Sequence, residues 1–190
     1  MKGEWSEYSI ARAIALQTLA RKCIVLVDNC NWTGHECDVL GVTTDLRIID
    51  VEVKISRADL KADAKKDKWW TRLTYAEAQA RGVDMWSRGD ARVHPPKVWK
   101  HYYALPFEIW KPELLDCLPS TASGVLLLRE QRGITTLAVH VERRATPNKD
   151  ATVLTPAQAI DIARLANLRM WEARRELEAS RRREEQGAPA

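Results

Sequence analysis

No apolar run in this 190-residue sequence approaches the roughly 20 residues that span a bilayer, so a membrane partner is not expected. The N-terminal MKGEWSEYSIARA lacks the basic, apolar and small-residue order of a secretory signal, and a cytoplasmic, reducing location is the expectation. Cysteines number four, and no two stand in a CxxC pair. Cys23, Cys30 and Cys37 recur every seven residues with His35 nearby, but that spacing falls short of a structural zinc pattern. Four ordinary thiols are expected instead, Cys23 heading a buried strand, Cys117 following a helix, and Cys30 and Cys37 in a loop. Long polar tracts and internal repeats are absent, which excludes a disordered chain or a solenoid. Nor is there a helix-turn-helix or zinc finger to read base sequence.

What is present is a 45% apolar composition, enough to bury a core over one domain spanning 1–190. The net charge is only +4, but it is unevenly spread. Lys and Arg number 5 against 8 acids in residues 1–53, 12 against 6 in 54–101, and 13 against 12 in 102–190. The middle segment alone carries an excess of six positive charges, which suggests a face for a polyanion as well as an ordinary solvated surface.

Helical spacing runs from Glu4 to about Arg21, with Ile10, Ala11, Ile14 and Thr18 on one stripe and Glu7 at its start. Strands are expected at 23–27, 37–42 and 46–55, joined by a loop at 28–34 and a turn at 43–45. Ser56 and Asp59 form a capping-box pattern that starts a helix running to Lys68. Residues 69–97 break any simple period and read as an irregular insertion. Strands follow at 101–105, 124–128 and 134–141, with a short helix at 106–117 between the first two. A long terminal helix runs from Thr155-Pro156 to about Glu185, its closely spaced opposite charges marking a solvated face. The fold class expected is α/β (α+β), a mixed central sheet flanked by helices.

The chemistry concentrates on the third strand. Side chains alternate there, so Ile49, Val51, Val53 and Ile55 share one face and Asp50, Glu52 and Lys54 the other. Glu52 and Lys54 stand about 7 Å apart along the strand, and the turn at 43–45 brings Asp38 of the second strand beside Glu52. Magnesium takes oxygen ligands, keeps several waters and is held by one or two carboxylates plus substrate phosphate. Asp38, Glu52 and the Val53 carbonyl meet that need, with Mg2+ or Mn2+ as the cofactor. Lys54 would then orient the attacking water or steady charge on the phosphate. Carboxylates paired without a cation repel, so amide replacement of either Asp38 or Glu52 is expected to keep or raise stability. The competing reading is an ion pair across a solvated sheet face. Acid-x-Lys recurs at Asp59-Leu60-Lys61 and Asp63-Ala64-Lys65, but there on a helix, where i and i+2 diverge.

Glu7 on a first helix, Cys37-Asp38-Val39-Leu40 on a strand, Asp50-Val51-Glu52-Val53-Lys54 on the next, and Ser56-Arg57-Ala58-Asp59-Leu60-Lys61-Ala62-Asp63 on a helix together resemble the PD-(D/E)xK nuclease superfamily. More narrowly the chain is similar to the MmcB-like DNA-repair nucleases, whose following strands resemble His101-Tyr102-Tyr103-Ala104-Leu105-Pro106 and Gly124-Val125-Leu126-Leu127-Leu128. The resemblance covers residues 5–68 and 100–142. It implies a restriction-endonuclease-like core, a divalent metal and DNA as substrate, in repair or phage DNA metabolism. It also implies Asp38, Glu52 and Lys54 as catalytic residues, joined by Glu7 from the helix. Cys37 stands where the name-giving proline would be, and the 69–97 insertion leaves substrate choice open.

Lys65, Lys66, Lys68 and Arg72 interleave with Trp69 and Trp70, and Arg88, Arg92, Lys97 and Lys100 with Trp86 and Trp99. Cations can fix phosphates and aromatic rings can stack on unpaired bases; alternatively, at least two of the tryptophans pack the insertion onto the body. A restriction-like or structure-specific endonuclease, or a nuclease-fold protein that only binds DNA, would use the same core. A homo-oligomer is left open.

Overall fold

The computed structural model describes residues 5–84, 87–130 and 137–187. Ser6 caps the first helix, α1 (Glu7–Ala13), by accepting the Ser9 N–H, and α1 runs directly into a π-helical segment, Ile14–Leu19. Ile10, Ala13, Ile14 and Leu19 are buried; of the expected stripe Ile10 and Ile14 are confirmed, while Ala11 and Thr18 are only half-buried, because the π-helical segment from Ile14 shifts the inward face to Leu19. Three strands follow as an antiparallel meander, β1 (Cys23–Cys30), β2 (Cys37–Thr43) and β3 (Ile48–Val53). β1 is longer than expected. Cys30 pairs across the ladder with Cys37, so these thiols end one strand and begin the next rather than lying in a loop. All four cysteines are free.

After β3 come α2 (Arg57–Asp63), β4 (Trp70–Arg72), α3 (Tyr75–Arg81), β5 (Arg88–Arg92), β6 (Val98–Pro106), β7 (Gly124–Glu130), β8 (Leu137–Arg143) and α4 (Pro156–Glu185). The main sheet has the order β1-β2-β3-β6-β7-β8. Its two central pairs, β3·β6 and β6·β7, are parallel and the outer pairs antiparallel, so the sheet is mixed as expected.

Several expectations are corrected locally. Helix α2 ends at Asp63, five residues short of Lys68, because the chain doubles back through a 3-10 turn at Asp67–Trp69 that returns Trp69 Nε1 to the Asp63 carboxylate at 2.9 Å. The helix expected at 106–117 is two 3-10 segments, Phe107–Ile109 and Pro112–Cys117. Pro112 forces Lys111 into extended backbone between them. Residues 69–97 are not irregular throughout: β4 and β5 pair as a small second sheet and α3 carries a full Thr74–Glu77 capping box. Trp86 lies outside the described residues, as do 134–136 of the expected sixth strand.

One sheet face packs Val39, Ile49, Val51, Val53, Ala104, Leu126 and Leu128 against α1 and the π segment. Truncating Ile14, fully buried there, would cost about 2–5 kcal/mol. The other face carries two apolar clusters. One joins Ala159 and Ile162 of α4 to Val27, Leu40, Val42, Ile48 and Val98; the other joins Leu60, Trp69 and Leu114 to Tyr103, Leu105, Val125 and Leu127. Buried between them are Asp50, Glu52, Lys54 and His101. The ionisable face of β3 is therefore interior. Helix α4 opens with a Thr155–Gln158 capping box and Pro156 in its first turn. No helix among the described residues is long and apolar enough to cross a membrane.

Candidate active site

Asp38 lies one residue beyond the Val39–Val51 ladder pair, which puts it across from Glu52. Its Oδ2 accepts the Val53 N–H at 2.6 Å. Burial, and next the negative charge of Glu52, raise the Asp38 carboxyl to a pKa of about 6, while the Val53 N–H and Lys54 oppose the rise. Glu7 adds to it. That residue is exposed on the first turn of α1, yet its charge reaches Asp38.

Glu52 stands in the opposite situation. Its Oε2 takes Lys54 Nζ at 3.1 Å and Lys66 Nζ at 3.3 Å, and its Oε1 takes Lys68. Burial favours its neutral form, but Lys68 and Lys54 outweigh burial and hold the carboxyl below its usual range. The expectation that amide replacement of Glu52 keeps or raises stability assumed one repelling carboxylate, whereas three ammonium groups dominate its surroundings.

A third carboxylate completes the network. Asp63 is fully buried at the end of α2, where its Oδ2 accepts from Tyr103 Oη at 2.5 Å as well as from Trp69 Nε1. Its Oδ1 lies 3.0 Å from Lys66 and 3.5 Å from Lys54. Burial opposes its charge, but Lys68, Tyr103, Lys54 and Trp69 together push its pKa down. The Ser-x-x-Asp-x-x-x-Asp pattern contained this residue, but periodicity on a helix gives no sign that its last acid turns inward.

Asp50 was legible only as the third ionisable residue in the alternation. It is fully buried, and His35 Nε2 sits 3.1 Å from its Oδ2 and His101 Nε2 3.9 Å away. Among the described residues, two groups could hold a metal ion: His35, Cys37 and Asp50, and Asp50, Glu52 and His101. Burial pushes the pKa of His101 down to about 3, so its imidazole is neutral and able to donate a lone pair.

A cleft of about 830 Å³ opens beside this network, between residues 33–36 and the β4–β5 sheet, with Lys66, Lys68, Trp70 and Arg72 among its lining. Lys65 and Lys66 are exposed, and the Arg88 and Arg92 guanidinium groups lie 4.9 and 4.7 Å from the Trp70 ring centroid. Of the residues expected to contact nucleic acid, Trp69 is corrected because it is fully buried, while Lys68 lines the cleft but turns its ammonium inward. The Lys68 side chain is 3% exposed against Glu52, and Trp69 is fully buried with its N–H on Asp63. An ammonium is kept inside by neighbouring carboxylates, which the sequence pattern of alternating Lys and Trp cannot reveal.

No protein-family model matches the chain, and no curated protein does. Among solved structures it is similar in fold to the SPO1766 protein of unknown function from Silicibacter pomeroyi. The two share 22% identity over 93% of this chain and 92% of that one, with a TM-score of 0.51. At that identity the likeness concerns the fold alone.

Proposed function

We propose that this chain is a divalent-metal-dependent deoxyribonuclease with a PD-(D/E)xK, restriction-endonuclease-like core of the MmcB-like kind. The observation that carries the reading is the pair Asp38 and Glu52 on adjacent strands, with Asp38 raised to a pKa of about 6 by burial and by Glu52, and Lys54 3.1 Å from Glu52. A carboxylate held at that pKa beside other acids is one that a cation would relieve.

The donor set fits magnesium or manganese. Asp38 and Glu52 offer hard oxygen ligands, and Lys66, whose side chain is 49% exposed, is the ammonium free to swing from Glu52 toward solvent. Glu7, whose charge reaches Asp38, is a further acid. When bound, such a cation lowers the pKa of water and offsets phosphate charge. The chain's own residues do the rest. Lys68 and Lys54 keep Glu52 ionised, Asp63 and Tyr103 hold the Lys54 and Lys66 end of the network in place, and Lys54 stabilises negative charge gathering on the phosphate as a water oxygen attacks phosphorus and the ester oxygen leaves. Lys66 from the cleft lining, with Lys65 beside it and Arg88 and Arg92 over the Trp70 ring, supplies phosphate contacts.

The test is incubation of the protein with labelled linear, circular, single-stranded and branched DNA, with and without magnesium or manganese. Cleavage that needs the cation and disappears in Asp38→Asn is expected. Absence of cleavage on every substrate with every divalent ion would overturn the reading.

A further inference from the structure

Beside the carboxylate pair lies a second group of donors of different chemistry. His35 lies in the bend just before β2 and Cys37 is the first residue of that strand. Asp50 meets them from β3. The His35 nitrogen, the Cys37 sulfur and an Asp50 oxygen lie within 4.8 Å of one another, and the His35 Nε2 to Asp50 Oδ2 separation is 3.1 Å. Ligand atoms on a tetrahedral zinc stand roughly 3–4 Å apart, given its short bonds to nitrogen, oxygen and sulfur.

Two buried atoms point the same way. Asp50 Oδ1 and His101 Nε2 are each buried without a hydrogen-bond partner, an arrangement the interior normally avoids. His101 is fully buried, and its other nitrogen, Nδ1, bonds Ser123 Oγ at 3.0 Å. A bond at the far ring nitrogen is how proteins orient a ligating imidazole.

We infer that His35, Cys37 and Asp50 bind a zinc-class transition cation at a site separate from the Asp38–Glu52 pair, with the fourth position open to water and His101 Nε2 3.9 Å from Asp50. Thiolate and imidazole select zinc over magnesium, which takes oxygen. A Cys37 thiolate and an Asp50 carboxylate together match the charge of a divalent ion, and binding releases the Cys37 proton to solvent. His35 lines the cleft, so the ion has access from solvent. Once bound, it would tie residues 33–36, one cleft wall, to the middle of the sheet. This zinc site stands independently of the nuclease reading.

The experiment uses the full chain, stripped with a chelator under a non-thiol reductant and titrated with cobalt(II), then with zinc. One equivalent of cobalt should give a thiolate-to-metal charge-transfer band, which one equivalent of zinc abolishes and excess magnesium does not. Cys37→Ser should lose the band, while Cys30→Ser and Cys23→Ser keep it. His35→Ala and Asp50→Asn should each weaken zinc by about tenfold or more, on the scale that outer-shell losses already reach. Asp38→Asn should bind zinc as the parent does, which separates this site from the proposed magnesium site. His35 is only partly buried, so its variant tests the site even where Cys37→Ser fails to fold. A missing thiolate band, a band that survives Cys37→Ser, or zinc affinity unchanged in both His35→Ala and Asp50→Asn would overturn the assignment.

Discussion

Replacing Asp38 and Glu52 by their amides should move stability in opposite directions, although the two carboxylates face each other across adjacent strands. Asp38 has a folded pKa of about 6 against an ordinary 3.8. The stabilisation from holding its proton is therefore fully present below the ordinary value and lost as pH rises through about 6. At neutral pH the ionised group costs at most about 3 kcal/mol, and roughly 1–2 kcal/mol after solvent screening of this half-buried side chain. Asp38→Asn keeps an oxygen for the Val53 N–H, so it should raise stability by roughly that amount in chelator at neutral pH, and the gain should vanish near pH ~4, where the parent carboxyl is protonated. Glu52→Gln instead leaves Lys68 without its ion-pair partner and Lys54 with only Asp63 and Asp59 beside it, each lysine side chain being under 5% exposed. Breaking a buried pair in that way costs about 3–5 kcal/mol, on the order of a 10 °C fall in Tm for a chain of this size. Urea and thermal denaturation of the parent, both single variants and the double variant would measure this, the double variant being non-additive because Glu52 itself raises Asp38. A Glu52→Gln protein as stable as the parent, or a destabilised Asp38→Asn, would refute the electrostatic account of the site.

Other consequences follow from the same geometry. Lys54→Met should bind magnesium yet cleave about 10²–10³-fold more slowly, read from single-turnover rates beside calorimetric metal binding. Cleavage should fall about tenfold per pH unit once pH drops below the Asp38 pKa, because a protonated carboxyl no longer binds the cation; a pH–rate profile at fixed magnesium checks this, with the break moving lower as magnesium rises. Replacing Lys65, Lys66, Arg88 and Arg92 by Gln should flatten the salt dependence of DNA affinity by about 0.9 for each phosphate that is no longer neutralised, measured on an Asp38→Asn background, whereas Lys68→Gln should leave the slope alone and lower stability. Asp63→Asn should destabilise by about 3 kcal/mol by leaving Lys54 and Lys66 underpaired; acid should act in the same sense, since a lowered pKa gives stability above pH ~4 that is lost on further acidification, followed by equilibrium unfolding across the acid range.

Local patterns were enough for the elements that carry a single strong signal. The stripe Ile10, Ile14 required a helix with one buried face, the alternation Ile49 to Lys54 required a strand, and Thr155-Pro156 with Gln158 three residues on required a helix start. Those signals are short-range, a matter of periodicity and capping. They broke down where a distant partner decides the local conformation. Trp69 ends the helical run because its indole seeks Asp63, and Lys68 turns inward because Glu52 lies on a strand sixteen residues earlier in the chain.

The sequence by itself therefore determined the mixed sheet's strand segments, the long C-terminal helix, and the placing of Asp38, Glu52 and Lys54 on neighbouring strands. Only the tertiary structure decided which charges meet. Burial of both faces of β3 turned an apparently solvated row of acids and a lysine into an interior network, in which lysines hold Glu52 ionised while burial, and next the charge of Glu52, raises the Asp38 pKa to about 6. The same packing brought His35 and Cys37, from β2 and its leading loop, together with Asp50 of β3, and Asp50 together with Glu52 and His101 of β6. Coulomb energies and desolvation depend on separation and burial in space, and neither quantity is a function of position along the chain.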